Sequence, residues 1–228
     1  MQYNRSAPGW ALRFGQKYFG WSDAQIQEVV GTDGIRRMYR LFAEHGEAVY
    51  HRPEVALRQE WFHEQPGGER DCAILYDLMP STATLLDWGC GTAETERRQW
   101  IDPGRATILM DLEGPNFDYV RAKYQGMDVQ VRALSEGLPA RYDALLCLDV
   151  LEHIPHPMEA VLALWDRLAP GGYAAFWFED TYPYPGHLKE AIAERPEYEA
   201  WLYAHTTIIR RNWLDIVQKP RRWWQVCC

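Results

Sequence analysis

The sequence predicts an α/β fold: a mostly parallel sheet with helices on both faces, preceded by an N-terminal helical cap. Three observations carry the prediction. From residue 84 onward, short apolar runs alternate with helix-compatible segments, the pattern of a parallel sheet built from strand–helix repeats. Three of those runs end in an aspartate, at Asp87, Asp111 and Asp149. Residues 1–80 carry helical signals and no strand signal.

The cap reads as follows. Tyr3, Trp10, Phe14, Tyr18 and Phe19 mark an aromatic arm or short helix. Ser22-Asp23 caps a helix over residues 24–30, which Gly31 ends. Ile35, Met38, Leu41 and Phe42 lie at helical spacing after Thr32-Asp33. Pro53 suits the first turn of a helix over 54–62, and Glu69 to Leu78 forms another, closed by Pro80. We therefore divide the chain into a cap or substrate lid, 1–80, and a catalytic domain, 81–228.

The strands follow. Leu85-Leu86 is the first. Ala106 to Met110, Val129 to Val131, Ala144 to Leu148 and Tyr173 to Phe178 are the next four. Helices are expected around Phe117–Tyr124, over Met158–Leu168 and over Leu188–Tyr203, the last kinked or broken at Pro196. In the tail, Thr206–Arg210 and Trp223–Cys227 look like strands, with Asn212–Gln218 as a helix or turn between them.

Composition narrows the function. The 228 residues carry a net charge of −8, which argues against general nucleic-acid binding. Arg210, Arg211, Lys219, Arg221 and Arg222 form a local basic cluster, read as solvated surface, with contact to an acidic substrate or partner as the other reading. No run approaches membrane-spanning length. The five cysteines are odd in number and mostly sit in apolar runs, which suggests reduced thiols and a cytoplasmic location. Aromatic residues make up 14% of the chain, enough to wall a pocket for a flat or cationic ligand, or simply to fill the core.

Residues 84–93 organise the rest. Leu85-Leu86-Asp87-Trp88-Gly89-Cys90-Gly91 is a buried strand that ends in an acid and turns on two glycines. Such a turn lets a ligand approach the backbone closely. Glu94 stands where a dinucleotide fingerprint would place its third glycine, and a carboxylate there is poorly suited to pyrophosphate. It suits a ligand with a nucleoside and a cationic part.

The segment resembles the glycine-rich first motif of class I S-adenosylmethionine (SAM)-dependent methyltransferases. Two further stretches strengthen the resemblance. Tyr142 to Ile154, containing Asp149-Val150-Leu151-Glu152-His153, is similar to their fourth motif, and Leu168-Ala169-Pro170-Gly171-Gly172 to their turn before the fifth strand. The resemblance covers residues 84–180. It implies a Rossmann-like, seven-stranded sheet whose last strand is antiparallel, SAM as cofactor and S-adenosylhomocysteine as product. Trp88 departs from the usual small or aliphatic residue; packing against the cap would account for it.

Acids at strand ends gather at one crevice in such sheets. Asp111, about 20 residues past the glycine turn, suits the ribose diol. Asp87 with Gly89, Cys90 and Gly91 would hold the methionine end. Leu112, Arg132, Ala133 and Val150 complete the expected cofactor set, with Arg132-Ala133 beside the adenine.

Methyl transfer from a sulfonium needs positioning of the nucleophile and exclusion of water. His153 is the candidate catalytic base, since imidazole titrates near neutral pH; a structural imidazole is the other reading. The acidic-x-x-Glu-His pattern of Asp149, Glu152 and His153 also resembles the Mg²⁺ cluster of ubiquinone-pathway and small-RNA O-methyltransferases. It is common in metal-free relatives too, so no metal ligand is assigned. Trp10, Tyr18, Tyr182 and Tyr184 are the candidate substrate-pocket residues. The leading reading is methyl transfer to oxygen or nitrogen of a small molecule, as in small-molecule biosynthesis. SAM consumption without methyl transfer, releasing methylthioadenosine, and non-catalytic SAM binding are the alternatives.

Overall fold

The computed structural model describes residues 12–13, 15–30, 34–57, 73–93, 105–178, 184, 186–210 and 214–221. Trp10, Glu94, Tyr182 and the expected strand over 223–227 lie outside them.

Seven strands form one sheet: β1 (Leu85–Trp88), β2 (Thr107–Asp111), β3 (Val129–Ala133), β4 (Tyr142–Leu148), β5 (Leu168–Trp177), β6 (Thr207–Arg210) and β7 (Asp215–Gln218). Their order is β3-β2-β1-β4-β5-β7-β6. The first five run parallel, and β7 is antiparallel to both neighbours. The seven-stranded, mostly parallel sheet is thus as expected.

The strands are apolar because both their faces are covered. Leu86, Leu145 and Cys147 point to one face and join Val161, Leu164, Trp165, Tyr198 and Leu202. Leu85, Leu146 and Leu148, one residue out of phase, point to the other face with Leu75, Met79 and Ile216. The first face is covered by α5 (Pro157–Arg167) and α6 (Lys189–His205). The second is covered by α3 (Ala73–Leu78), once α1 (Asp23–Val30) and α2 (Gly34–His45) are counted before it in the cap. So α3, expected at the end of the cap, shares the sheet's own core. The helix α4 (Pro115–Lys123) lies over the β2 end of the sheet, where Tyr119 and Val120 meet Ile26, Val29 and Val30 of α1. This is where the cap rests. Among the described residues no helix is long and apolar enough to cross a membrane.

Several local expectations change. Residues 215–218, read as helix or turn, are β7, because Ile216 and Val217 are buried against β5. Pro196 does not break α6, which runs through it; Ala191, Tyr198 and Leu202 are buried on either side of the proline and hold both halves to the core. β5 begins before the Pro170-Gly171-Gly172 turn. The β4–β5 register jumps from Tyr142/Leu168 to Ala144/Tyr173, so the turn is looped out of the strand.

Lys219 is buried, not part of a basic surface. Its Nζ donates to the carbonyls of Trp165 and Leu168 at 2.5 and 2.8 Å, satisfying acceptors at the C-terminus of α5. Trp88 packs against the core cluster under α5 and α6.

Candidate active site

The register places the acids at one end of the sheet. Asp87 on β1 pairs with Leu109 on β2, two residues before Asp111, and with Leu146 on β4, three before Asp149. All three follow buried strands and come to the carboxyl edge, where ligands bind in such sheets. Asp87 is buried; Asp111 and Asp149 are partly exposed. Asp149 takes φ +54°, a conformation that residues other than glycine adopt at local cost and that concentrates at functional sites.

The glycine turn is closed against its neighbours. Gly89 and Cys90 donate backbone N–H bonds to the Met110 carbonyl at 2.9 and 3.0 Å. Gly89 takes φ +71°, and a Cβ there would lie 2.4 Å from Val150 Cγ2. Glycine is therefore required twice, by conformation and by space. Gly91 N–H donates to Asp111 Oδ2 at 2.5 Å, and Leu112 N–H to Asp111 Oδ1 at 2.7 Å. The turn after β1 and the acid after β2 are thus one hydrogen-bonded unit. A carboxylate offers about four acceptor positions, so these bonds are compatible with a ribose diol on the same group.

A brace absent from sequence reasoning holds the turn from behind. Lys123, at the end of α4, donates to the Thr92 and Ala93 carbonyls, both at 2.8 Å, and Tyr124 Oη donates to Ala93 at 3.2 Å. Ala93 itself has φ +50°. Lys123→Met removes both charge-assisted bonds and is expected to weaken binding of the cofactor by about tenfold, roughly 1.4 kcal/mol. Calorimetry on the variant checks this; wild-type affinity would show that the turn needs no brace.

The other expected cofactor residues divide. Ala133 is the register partner of Asp111, at the same sheet edge. Arg132 turns to its own loop, donating to the Gly137 carbonyl at 3.3 Å with Glu136 at 3.6 Å. Leu112 is exposed.

His153 lies just past β4 in a short helical turn, Leu151–His153. Burial pushes its imidazole down to about 4; the Gly186 carbonyl works the other way and His187 adds to the lowering. Its ring meets His187 at 4.9 Å between centroids, and His187 meets Tyr184 at 4.6 Å. Donor atoms of Glu152, His153 and His187 lie within 4.8 Å of one another. A carboxylate and two imidazoles suit a hard or borderline divalent cation. The sequence offered no reason to prefer His187 over His156 or His205; the fold selects it by tying Leu188 N–H to the Glu152 carbonyl at 2.8 Å.

Tyr184 and Tyr18 are not brought together. Tyr184 stands beside His187 and edge-on to Tyr39 of α2. Tyr18 packs edge-on to Tyr119 of α4 at 5.2 Å, in the cluster behind the glycine turn.

A family model described as a methyltransferase domain matches residues 72–212. The chain belongs to this family, the class I SAM-dependent methyltransferases. Among curated relatives, the methyltransferase is similar to the ubiquinone biosynthesis O-methyltransferase of Pseudomonas fluorescens, 32% identical over 105 residues, and to that of Pseudomonas entomophila, 38% over 109. Each match covers 40% of this chain and 42% of the relative, so the chain spans less than half the length of the curated relatives it matches. A chain from the complex of the Haloferax volcanii Trm112 methyltransferase activator with a putative methyltransferase superposes with a TM-score of 0.52 at 14% identity, covering 78% of this chain and 97% of that one. That likeness shows the shared fold.

Proposed function

We propose that this methyltransferase transfers the SAM methyl group to oxygen or nitrogen of a small-molecule acceptor, in the cytoplasm, and releases S-adenosylhomocysteine. The observation that carries the reading is the joining of the glycine turn to Asp111 through the Gly91 bond, beside an imidazole at the end of β4.

SAM, when bound, supplies a methyl already activated on a sulfonium. Asp111 would accept the ribose hydroxyls, while Asp87 and the turn of Gly89, Cys90 and Gly91 would hold the methionine end. Val150, packed on Gly89, keeps that turn in shape. His153 would take the acceptor's proton as the new bond to carbon forms. Its neutral imidazole has a nitrogen lone pair for this. Tyr184, which is exposed, is proposed to wall the acceptor side together with Trp10 and Tyr182.

A second reading of the same groups rests on the Glu152–His153–His187 trio. There the three side chains would hold a divalent cation that orients an acceptor oxygen.

Product analysis tests the proposal. The protein is incubated with SAM alone and with a panel of phenols, catechols, alcohols and amines. S-adenosylhomocysteine formed only with an acceptor is the expected result. Methylthioadenosine formed from SAM alone would overturn it in favour of an intramolecular reaction. Binding without turnover across the panel would favour a non-catalytic module. Loss of turnover with chelator, restored by Mg²⁺, would favour the cation reading.

A further inference from the structure

Two consecutive residues of the cap reach to the ends of two different strands. They close the short helical turn Gly46–His51, which follows α2. His51 Nδ1 lies 2.9 Å from the carbonyl oxygen of Glu113, just past β2. Tyr50 Oη lies 2.7 Å from Nδ1 of His153, just past β4. The cap thus spans the edge of the sheet from the Asp111 side to the imidazole.

The same His153 Nδ1 is 2.9 Å from the Gly186 carbonyl oxygen. A carbonyl oxygen only accepts, so that contact is a hydrogen bond only when Nδ1 carries the ring proton. The network therefore assigns the Nδ1–H tautomer, with the proton shared between the Gly186 carbonyl and the Tyr50 oxygen. Nε2 is left as the acceptor nitrogen. The opposite tautomer would set the Gly186 oxygen against a nitrogen lone pair.

The approach of these groups is built in. Gly186 takes φ +82°, and a Cβ there would lie 2.5 Å from Phe42 and 2.7 Å from Tyr50 Oη. Only glycine lets this loop and the cap close on one ring nitrogen from two sides. Phe42 of α2 holds the Tyr50 ring edge-on at 5.4 Å.

We propose that Tyr50 is a positioning residue: its hydroxyl oxygen and the Gly186 carbonyl together fix the His153 ring with Nδ1 protonated and Nε2 as acceptor. A partner on the far nitrogen fixes the tautomer and orientation of a working imidazole in the same way elsewhere in proteins. The cap is then part of the support of the imidazole and not only a cover over the cleft. The functional consequence rests on the reading that His153 serves the acceptor side; the contact itself does not.

Nitrogen-15 NMR of the histidine rings in the full chain tests this. Wild-type protein is expected to show one protonated and one bare ring nitrogen for His153. Tyr50→Phe, which removes only the oxygen, is expected to leave the proton on Nδ1, held by the Gly186 carbonyl, but to shift the Nδ1 nitrogen and proton signals through loss of the second acceptor, with melting temperature and SAM affinity unchanged. Turnover on an acceptor from the panel should fall about tenfold. Gly186→Ala, which drives a methyl into Phe42 and Tyr50 and so displaces the loop carbonyl, should merge the two nitrogen signals as the tautomers exchange. Wild-type signals retained in Tyr50→Phe, or averaged signals already in the wild type, overturn the proposal. Normal turnover in His153→Gln, alongside the expected ring signals in the wild type and in Tyr50→Phe, would instead remove only the role of His153 in transfer.

Discussion

Asp111→Ala is expected to raise the dissociation constant for SAM by about a hundredfold or more, with the protein still folded. The carboxylate would accept two hydroxyls of the ribose, and hydrogen bonds to a charged group are worth about 1.5–3 kcal/mol each. Losing both corresponds to roughly two or more factors of ten in affinity. Asp111 also receives the Gly91 and Leu112 N–H groups, so its removal loosens the turn proposed to hold the methionine end of SAM. Fold loss should be small, because Asp111 sits at the end of β2 and is not fully buried. S-adenosylhomocysteine, which keeps the ribose, should lose affinity by the same factor. Calorimetry with both ligands decides it: unchanged binding would mean that the nucleoside does not sit at this acid.

His153→Ala should lower turnover by about a hundredfold to a thousandfold, within the range typical of a lost acid–base group. SAM affinity should stay near wild type, because His153 lies past β4 while the glycine turn and Asp111 lie on β1 and β2. The imidazole, pushed down to about 4 by burial, is neutral at physiological pH and needs no deprotonation before it accepts a proton. Steady-state assays at saturating SAM, with affinity measured separately, give the split. Normal turnover would remove His153 from the mechanism. A collapse of SAM affinity with the turnover would make it a structural histidine.

Much of the fold is legible because the central strands must be apolar on both faces. Leu85-Leu86, Ala106 to Met110 and Ala144 to Leu148 announce themselves as runs, and the aspartates mark where each run leaves the core. The same signal fails for Asp215–Gln218. Four residues hold too little periodicity to separate strand from turn, and only the antiparallel pairing with β5 makes Ile216 and Val217 core residues. Pro196 carries a strong local rule against helix, which burial of Tyr198 and Leu202 overrides. Lys219 looks like one cation of a basic cluster until the C-terminus of α5 comes to meet it.

The site divides in the same way. The sequence by itself determines the sheet, the acids at its edge and the glycine turn, because these follow from chain-local chemistry: apolar runs, a required glycine, an acid where a strand stops. The tertiary structure alone decides that Gly91 is bonded to Asp111, that Lys123 braces Thr92 and Ala93, and that Tyr50 meets His153 across 103 positions of sequence. Those pairs share no spacing or period. They meet because the sheet and the cap carry distant segments to one edge, and no property of either residue alone encodes the meeting.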